Sequence, residues 1–296
     1  MRILFLGNHT VGVESLKALQ QCAEVVGVIA HPVDPEDGMR YESVYDYAKK
    51  NKLDVIRGTP KETVTYNFTV QKKPDLIFVA DYRYLLPALF LNVAHLGTIN
   101  LHPSLLPKYR GRAPINWAIL QGEHQLGLTA HFIEEGMDTG DIIAQLTFEI
   151  NANEDVGDAL QKLYPLYAEI SQQVIQDFQK NSVTRLPQNH QAATHYPRRK
   201  PEDGLINWNS KATDILNLIR AVAIPYPGAF TFLNNEKVII WRAHLNEKLE
   251  SDSNIPGKIL VEDSQIKVKC QDNYLLLDTI EYDTQKIHLE TGLAFG

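Results

Sequence analysis

The chain has 296 residues, enough for two modest domains or one large one. Its net charge of −7 and pI of about 5.8 leave no global basic field to draw in nucleic acid. Two distant cysteines, Cys22 and Cys270, match neither a disulfide framework nor a metal-ligand spacing.

No apolar run approaches the roughly 20 residues of a membrane span. The opening MRILFLGN is too short for a signal peptide. A soluble, cytoplasmic protein with no membrane partner is expected.

Ile3–Leu6 ends at Gly7 and reads as a buried strand. Val13, Leu16 and Leu19 predict a helix from about Val11 to Cys22. Val25–Ala30 reads as a second buried strand, Val44–Lys50 as a helix, and Asp54–Ile56 and Asp75–Ala80 as extended. Pro87–Val93 is expected to be helical, and Thr98–Leu101 to be a strand behind Gly97. Short apolar strands alternating with helices predict an α/β, Rossmann-like domain around a parallel-rich sheet. Leu128–Ile133 and Ile142–Leu146 are further apolar runs flanking a polar turn.

Apolar positions from Val156 to Phe178 recur at helical spacing, with Pro165 expected to kink or divide the helix. From Asn181 to Gly204 the chain turns polar and basic, as a linker would. Lys211–Ala223 reads as a helix. Ala229–Leu233, Val238–Ala243, Gly257–Val261, Gln265–Cys270, Tyr274–Ile280 and Ile287–Leu289 follow as short strands of a small barrel or sandwich. The expected organisation is a catalytic domain over 1–185, a linker over 186–204 and a β domain over 205–296. Trp208, Tyr226 and Trp241 read as core of that β domain rather than as base-stacking platforms.

Four segments carry candidate chemistry. In GNHTVG the glycines Gly7 and Gly12 do not have dinucleotide-fingerprint spacing, which argues against a nicotinamide-linked dehydrogenase. The helix that follows can still offer its N-terminus to an anion, with Asn8, His9 and Thr10 as contacts.

In INLHP, Asn100 and His102 lie two apart at a strand end and so face one side. Alone, His102 reads as a strand-end histidine capping backbone groups. Two polar groups facing one way from an apolar strand are costly unless used, and strand carboxyl ends are where α/β sheets bind ligands.

In GMDTGD, Asp138 is a candidate carboxylate; a plain turn is the bland alternative and Asp141 the competitor. KYRGRAP, with Lys108, Arg110 and Arg112, reads either as a solvated loop or as a clamp for phosphate or carboxylate.

Asn100, His102 and Asp138 together suit transfer of an activated one-carbon acyl group onto an amine. The amide can bond a developing oxyanion, and the imidazole can take the amine proton. The carboxylate can orient that imidazole or receive the proton through water. No metal and no nucleophilic Ser or Cys is needed.

NLHPSLLPKYRG and MDTGDI resemble the paired motifs of the folate-dependent formyltransferase family, and the resemblance extends over nearly the whole chain. It implies a Rossmann-like formyltransferase domain, an OB-like C-terminal β-barrel, and Asn100, His102 and Asp138 as the catalytic triad. It also implies 10-formyltetrahydrofolate as co-substrate, with the pterin against Tyr84, Leu85 and Leu86 and facing Gly136, Met137 and Asp138.

Two branches share this architecture: methionyl-tRNA formyltransferase and the nucleotide-linked amino-sugar formyltransferases. RRKPEDG, INW, IRAVA, PGAF and DYRYL resemble the sugar branch, in particular the enzyme acting on UDP-4-amino-4-deoxy-L-arabinose. The loop HPVDPEDGMRYESV holds Asp34, Glu36, Asp37 and Glu42 against one Arg40, unfavourable for a polyanion.

The expected acceptor is therefore a nucleotide-linked amino sugar of surface-polysaccharide or lipopolysaccharide biosynthesis, with methionyl-tRNA as the alternative and no nucleic-acid partner. Asn8, His9, Thr10, Arg83, Lys108 and Arg112 are the expected substrate contacts. No dehydrogenase domain follows Gly296, so a sugar other than the arabinose is expected. A homodimer is left open.

Two further readings compete. The β domain resembles OB modules that bind single-stranded nucleic acid, though Glu262, Asp263, Asp272, Asp278, Glu281 and Asp283 oppose this. A hydrolase that only releases formate from the folate is the other.

Overall fold

The computed structural model describes residues 1–33, 41–246, 255–282 and 289–296. In chain order the first elements are β1 (Arg2–Gly7), α1 (His9–Cys22), β2 (Glu24–Ala30), α2 (Val44–Lys50), β3 (Val55–Arg57) and α3 (Thr63–Lys72). They are followed by β4 (Leu76–Ala80), α4 (Ala88–Leu91), β5 (Thr98–His102), β6 (Arg110–Gly111) and α5 (Pro114–Leu120). Then come β7 (Gln125–Phe132), β8 (Ile142–Glu149), α6 (Val156–Gln179), β9 (His195–Tyr196) and α7 (Ala212–Ala221). The last strands are β10 (Ala229–Leu233), β11 (Glu236–Leu245), β12 (Ile259–Glu262), β13 (Gln265–Lys269) and β14 (Tyr274–Tyr282).

The chain divides into two compact units. One comprises Met1–Pro114, Gln125–Phe148 and Leu160–Tyr196, and the other Ile115–His124, Glu149–Ala159 and Pro197–Gly296. The polar segment read as a linker is thus divided: up to Tyr196, including β9, it belongs to the first unit, and from Pro197, including a 3-10 turn at Pro201–Gly204, to the second.

A seven-stranded sheet of order β3-β2-β1-β4-β5-β7-β8 forms the first unit's centre. The strands from β3 to β5 run parallel, and β7 pairs antiparallel with β5. Apolar β1 and β4 residues are buried on both faces, with Leu4, Leu6, Ile29, Ile77, Val79, Tyr82 and Phe90 in one core cluster. Full burial of each such aliphatic side chain stabilises by about 1.5–3 kcal/mol.

Several elements differ from expectation, among them α3, α5, β6, β9 and the course of α6. α3 was not foreseen, because its buried face is made by Thr65 and Thr69 rather than by aliphatic residues. α6 runs unbroken for 24 residues with Pro165 inside it.

The second unit holds an antiparallel sheet of order β10-β11-β14-β13-β12. Register shifts on β11 between Ile240 and Ala243 are the irregularities that let a small sheet coil into a barrel-like form. Trp208 is core: it stacks on Phe295 at 5.5 Å and donates to Thr231 Oγ1 at 3.0 Å. The expected strand at Ile287–Leu289 falls mostly outside the described residues.

Candidate active site

β5 carries Asn100 and His102 to its carboxyl end. Registration with β7 sets Asn100 opposite His131 and His102 opposite Thr129. The Asp138 loop completes the cluster, with Asp138 itself in the left-handed region at φ 53°.

Two fixed acceptors decide where the histidine protons sit. His102 Nε2 lies 2.8 Å from the Tyr109 carbonyl oxygen. A carbonyl only accepts, so Nε2 carries the proton and the Nδ1 of neutral His102 is a lone pair. That Nδ1 is 3.8 Å from Asp138 Oδ2. Tyr109 thus sets the tautomer, and Asp138 faces the basic nitrogen.

His131 obeys the same logic. Its Nδ1 donates to the Phe132 carbonyl oxygen at 2.7 Å, so its Nε2 accepts from Asn100 Nδ2 at 3.2 Å. Nε2 also stands 3.7 Å from Asp138 Oδ1. Burial pushes His131 down to about 4, against the opposing pull of Asp138. Neutral His131 therefore holds one Asn100 N–H and fixes which amide edge faces away. Sequence reading missed this residue; the available signal was a lone polar ring inside the buried run LTAHF.

The basic loop does not act as a block. Lys108 and Arg112 are exposed, whereas Arg110 is buried, with Nη2 donating to Gln188 Oε1 at 2.6 Å. Gly111 N donates to Asp138 Oδ2 at 2.8 Å.

Asn8, His9 and Thr10 open α1 at the carboxyl end of β1. His9 lies 2.7 Å from Asp81 and 3.2 Å from Arg83 Nη2, so Arg83 reaches this end rather than the Asn100 cluster. Asn8, His9, His31, Tyr41, Tyr45 and Arg57 line a cavity of about 140 Å³ here. Among the residues expected at the pterin, Tyr84 stacks on His31 at 4.9 Å. Leu85 is 76% and Met137 48% exposed.

The chain matches the model "Formyl transferase" over residues 1–175 and "Formyl transferase, C-terminal domain" over 198–290. It is 33% identical to methionyl-tRNA formyltransferase of Acetivibrio thermocellus over 292 residues, covering 97% of this chain and 93% of that protein. It is 35% identical to methionyl-tRNA formyltransferase of Alkaliphilus oremlandii over 293 residues, with the same 97% and 93% coverage. Among solved structures, WlaRD, a sugar 3N-formyl transferase crystallised with dTDP and 5-N-formyl-THF, aligns with a TM-score of 0.71 at 20% identity. That alignment covers 96% of this chain and 98% of WlaRD, and it shows the shared fold alone.

These relatives overturn two expectations: a nucleotide-linked amino sugar as acceptor, and the absence of a nucleic-acid partner. Two of the motifs that pointed to sugar, DYRYL and PGAF, hold residues with structural roles. Tyr82 is core and donates to the Gly58 carbonyl oxygen at 2.6 Å, and Tyr84 covers His31. In PGAF, Gly228 takes φ 86° at the entry to β10, where a side chain would meet Ile239 and Trp241. Asp34, Glu36, Asp37 and Arg40 lie outside the described residues. Net acidity excludes only a global field; RNA affinity rests on local cations.

Proposed function

The chain belongs to the formyl transferase family, a family of folate-dependent one-carbon transferases, and we propose that it formylates methionyl-tRNA from 10-formyltetrahydrofolate. The observation that carries this reading is 33–35% identity to methionyl-tRNA formyltransferases over 95–97% of the chain.

Asn100, His102 and Asp138 supply the chemistry. The neutral methionyl amine attacks the formyl carbon, forming the C–N bond while the carbonyl becomes an oxyanion. The Asn100 N–H left free by His131 stabilises that oxyanion. His102 Nδ1 takes the amine proton, and the imidazolium so formed faces Asp138 Oδ2. Collapse reforms the carbonyl and breaks the bond to the folate nitrogen. His102 returns its proton to that nitrogen, so it departs as a neutral amine rather than as an amide anion.

Exposed Leu85 and Met137, on the two loops expected at the pterin, offer apolar contact for a flat heterocycle. Lys108, Arg112 and the α1 start at Asn8–Thr10 suit the phosphates of the acceptor end. No helix among the described residues is long and apolar enough to cross a membrane.

The test is formyl transfer from 10-formyltetrahydrofolate to methionine-charged initiator tRNA, with the released amino acid read by mass spectrometry. Formyl-methionine is the expected product. Its absence from an enzyme preparation that binds the folate overturns the reading.

A further inference from the structure

Asp138 sits in a backbone conformation that non-glycine residues rarely adopt, and such strain persists only where the surroundings over-determine it. Gln188 supplies that constraint from 50 residues away. Its Nε2 donates to the carbonyl oxygens of both Asp138, at 2.9 Å, and Gly140, at 2.7 Å. Its Oε1 accepts from Arg110 Nη2 at 2.6 Å and Nε at 3.2 Å.

Arg110 can only donate, so the Gln188 amide cannot flip without losing bonds at both ends. Both side chains are buried, and a buried amide with every position satisfied has one orientation. Next to Arg110, Gly111 N holds the Asp138 carboxylate. β6 thus grips Asp138 twice: directly at Oδ2, and through Gln188 at the backbone. A parallel pairing with β9, Arg110 to His195 and Gly111 to Tyr196, ties this grip to the segment that follows Gln188.

We infer that Gln188, locked by Arg110, is a positioning residue that holds Asp138 against His102 for formyl transfer. Neither residue touches the reacting atoms. The inference rests on the proposed roles of Asp138 and His102.

Gln188→Leu keeps the volume and removes the donors. Gln188→Glu keeps the acceptor for Arg110 but sets a carboxylate against two carbonyls. Each is expected to lower kcat about 10- to 100-fold, as a displaced catalytic group does. In an Asp138→Asn background the same replacements should cost less than about threefold further, because the group they position is already disabled. Equal losses in both backgrounds would make Gln188 merely structural and overturn the inference.

Amide hydrogen exchange on the intact chain separates this outcome from failure of the functional reading. Gln188→Leu should accelerate exchange across residues 136–141 and leave the β10–β14 sheet unchanged. Arg110→Lys, which keeps the charge and loses the paired donors, should do the same more weakly. Unchanged exchange at 136–141 overturns the inference whatever the activity. A wild-type chain that transfers no formyl group refutes the function while this readout still judges the brace.

Discussion

The carboxyl ends of β5 and β1 both gather polar and aromatic side chains, yet they are built differently. At β5, His102 and His131 each bond a carbonyl that can only accept, so their tautomers are dictated. At β1 the rings also pack on aromatic neighbours: His9 tilts against Tyr41 at 4.0 Å and His31 stacks on Tyr84 at 4.9 Å. Among the described residues, none offers buried His31 Nε2 a hydrogen bond. Tautomers are fixed at β1 too, because His31 Nδ1 donates to the Pro32 carbonyl oxygen at 2.8 Å and His9 Nδ1 lies 2.7 Å from Asp81, so the two ends differ in what the second ring nitrogen faces. At β5 those nitrogens face Asp138, which suits proton transfer, whereas at β1 His31 lines a cavity, which suits holding a ligand.

The comparison is most exposed at the β5 end. His102→Ala and Asp138→Ala should each lower kcat at least ~100-fold without a comparable fall in folate affinity. Turnover near wild type in either would dissolve the proton-transfer assignment.

The next effect is on stability. His131 is neutral in the fold down to about pH 4, but titrates near its ordinary value of 6.5 once unfolded. The unfolded chain therefore binds the extra proton first, and stability falls as pH drops from about 6.5 towards 4. The full loss is about 3 kcal/mol for this one ring. His131→Leu should flatten that part of the stability curve, as read by denaturant titration at stepped pH. An unchanged acid slope would show that His131 titrates alike in the folded and unfolded chain.

What was legible in the sequence follows the same division. Asn100 and His102 could be paired because a strand brings i and i+2 to one side, a local rule. His131 could not be paired with them, because its meeting with Asn100 depends on the antiparallel register of β7, a tertiary fact. Gln188 was hidden for a different reason: a polar stretch without periodicity reads as linker, and nothing local says that an amide will be buried against Arg110. The parallel strands were visible as apolar runs, whereas α3 buries threonines and has no such stripe. Tyr82 and Tyr84, in DYRYL, pointed to the sugar branch. Their assignment to sugar failed because residue type does not reveal that their own sheet already engages them.

Between the two ends lies the expected pterin face. Met137→Ala should raise the KM for 10-formyltetrahydrofolate several-fold to about tenfold and spare kcat, since it removes apolar area in contact with both ground and transition states. A fall in kcat at unchanged KM would instead place Met137 in the support of Asp138.

The smallest effect concerns charge. With a net −7, the chain can attract tRNA only through local cations. Lys108 and Arg112 are exposed, while Arg110 between them is held by Gln188. Removing one phosphate contact weakens binding about equally for all tRNA sequences and reduces the slope of log affinity against log salt by roughly 1. Lys108→Ala and Arg112→Ala should each show that reduced slope in tRNA binding, with folate KM unchanged. If neither slope moves, the loop does not meet the phosphate backbone, and tRNA contact must rest on other cations of the chain.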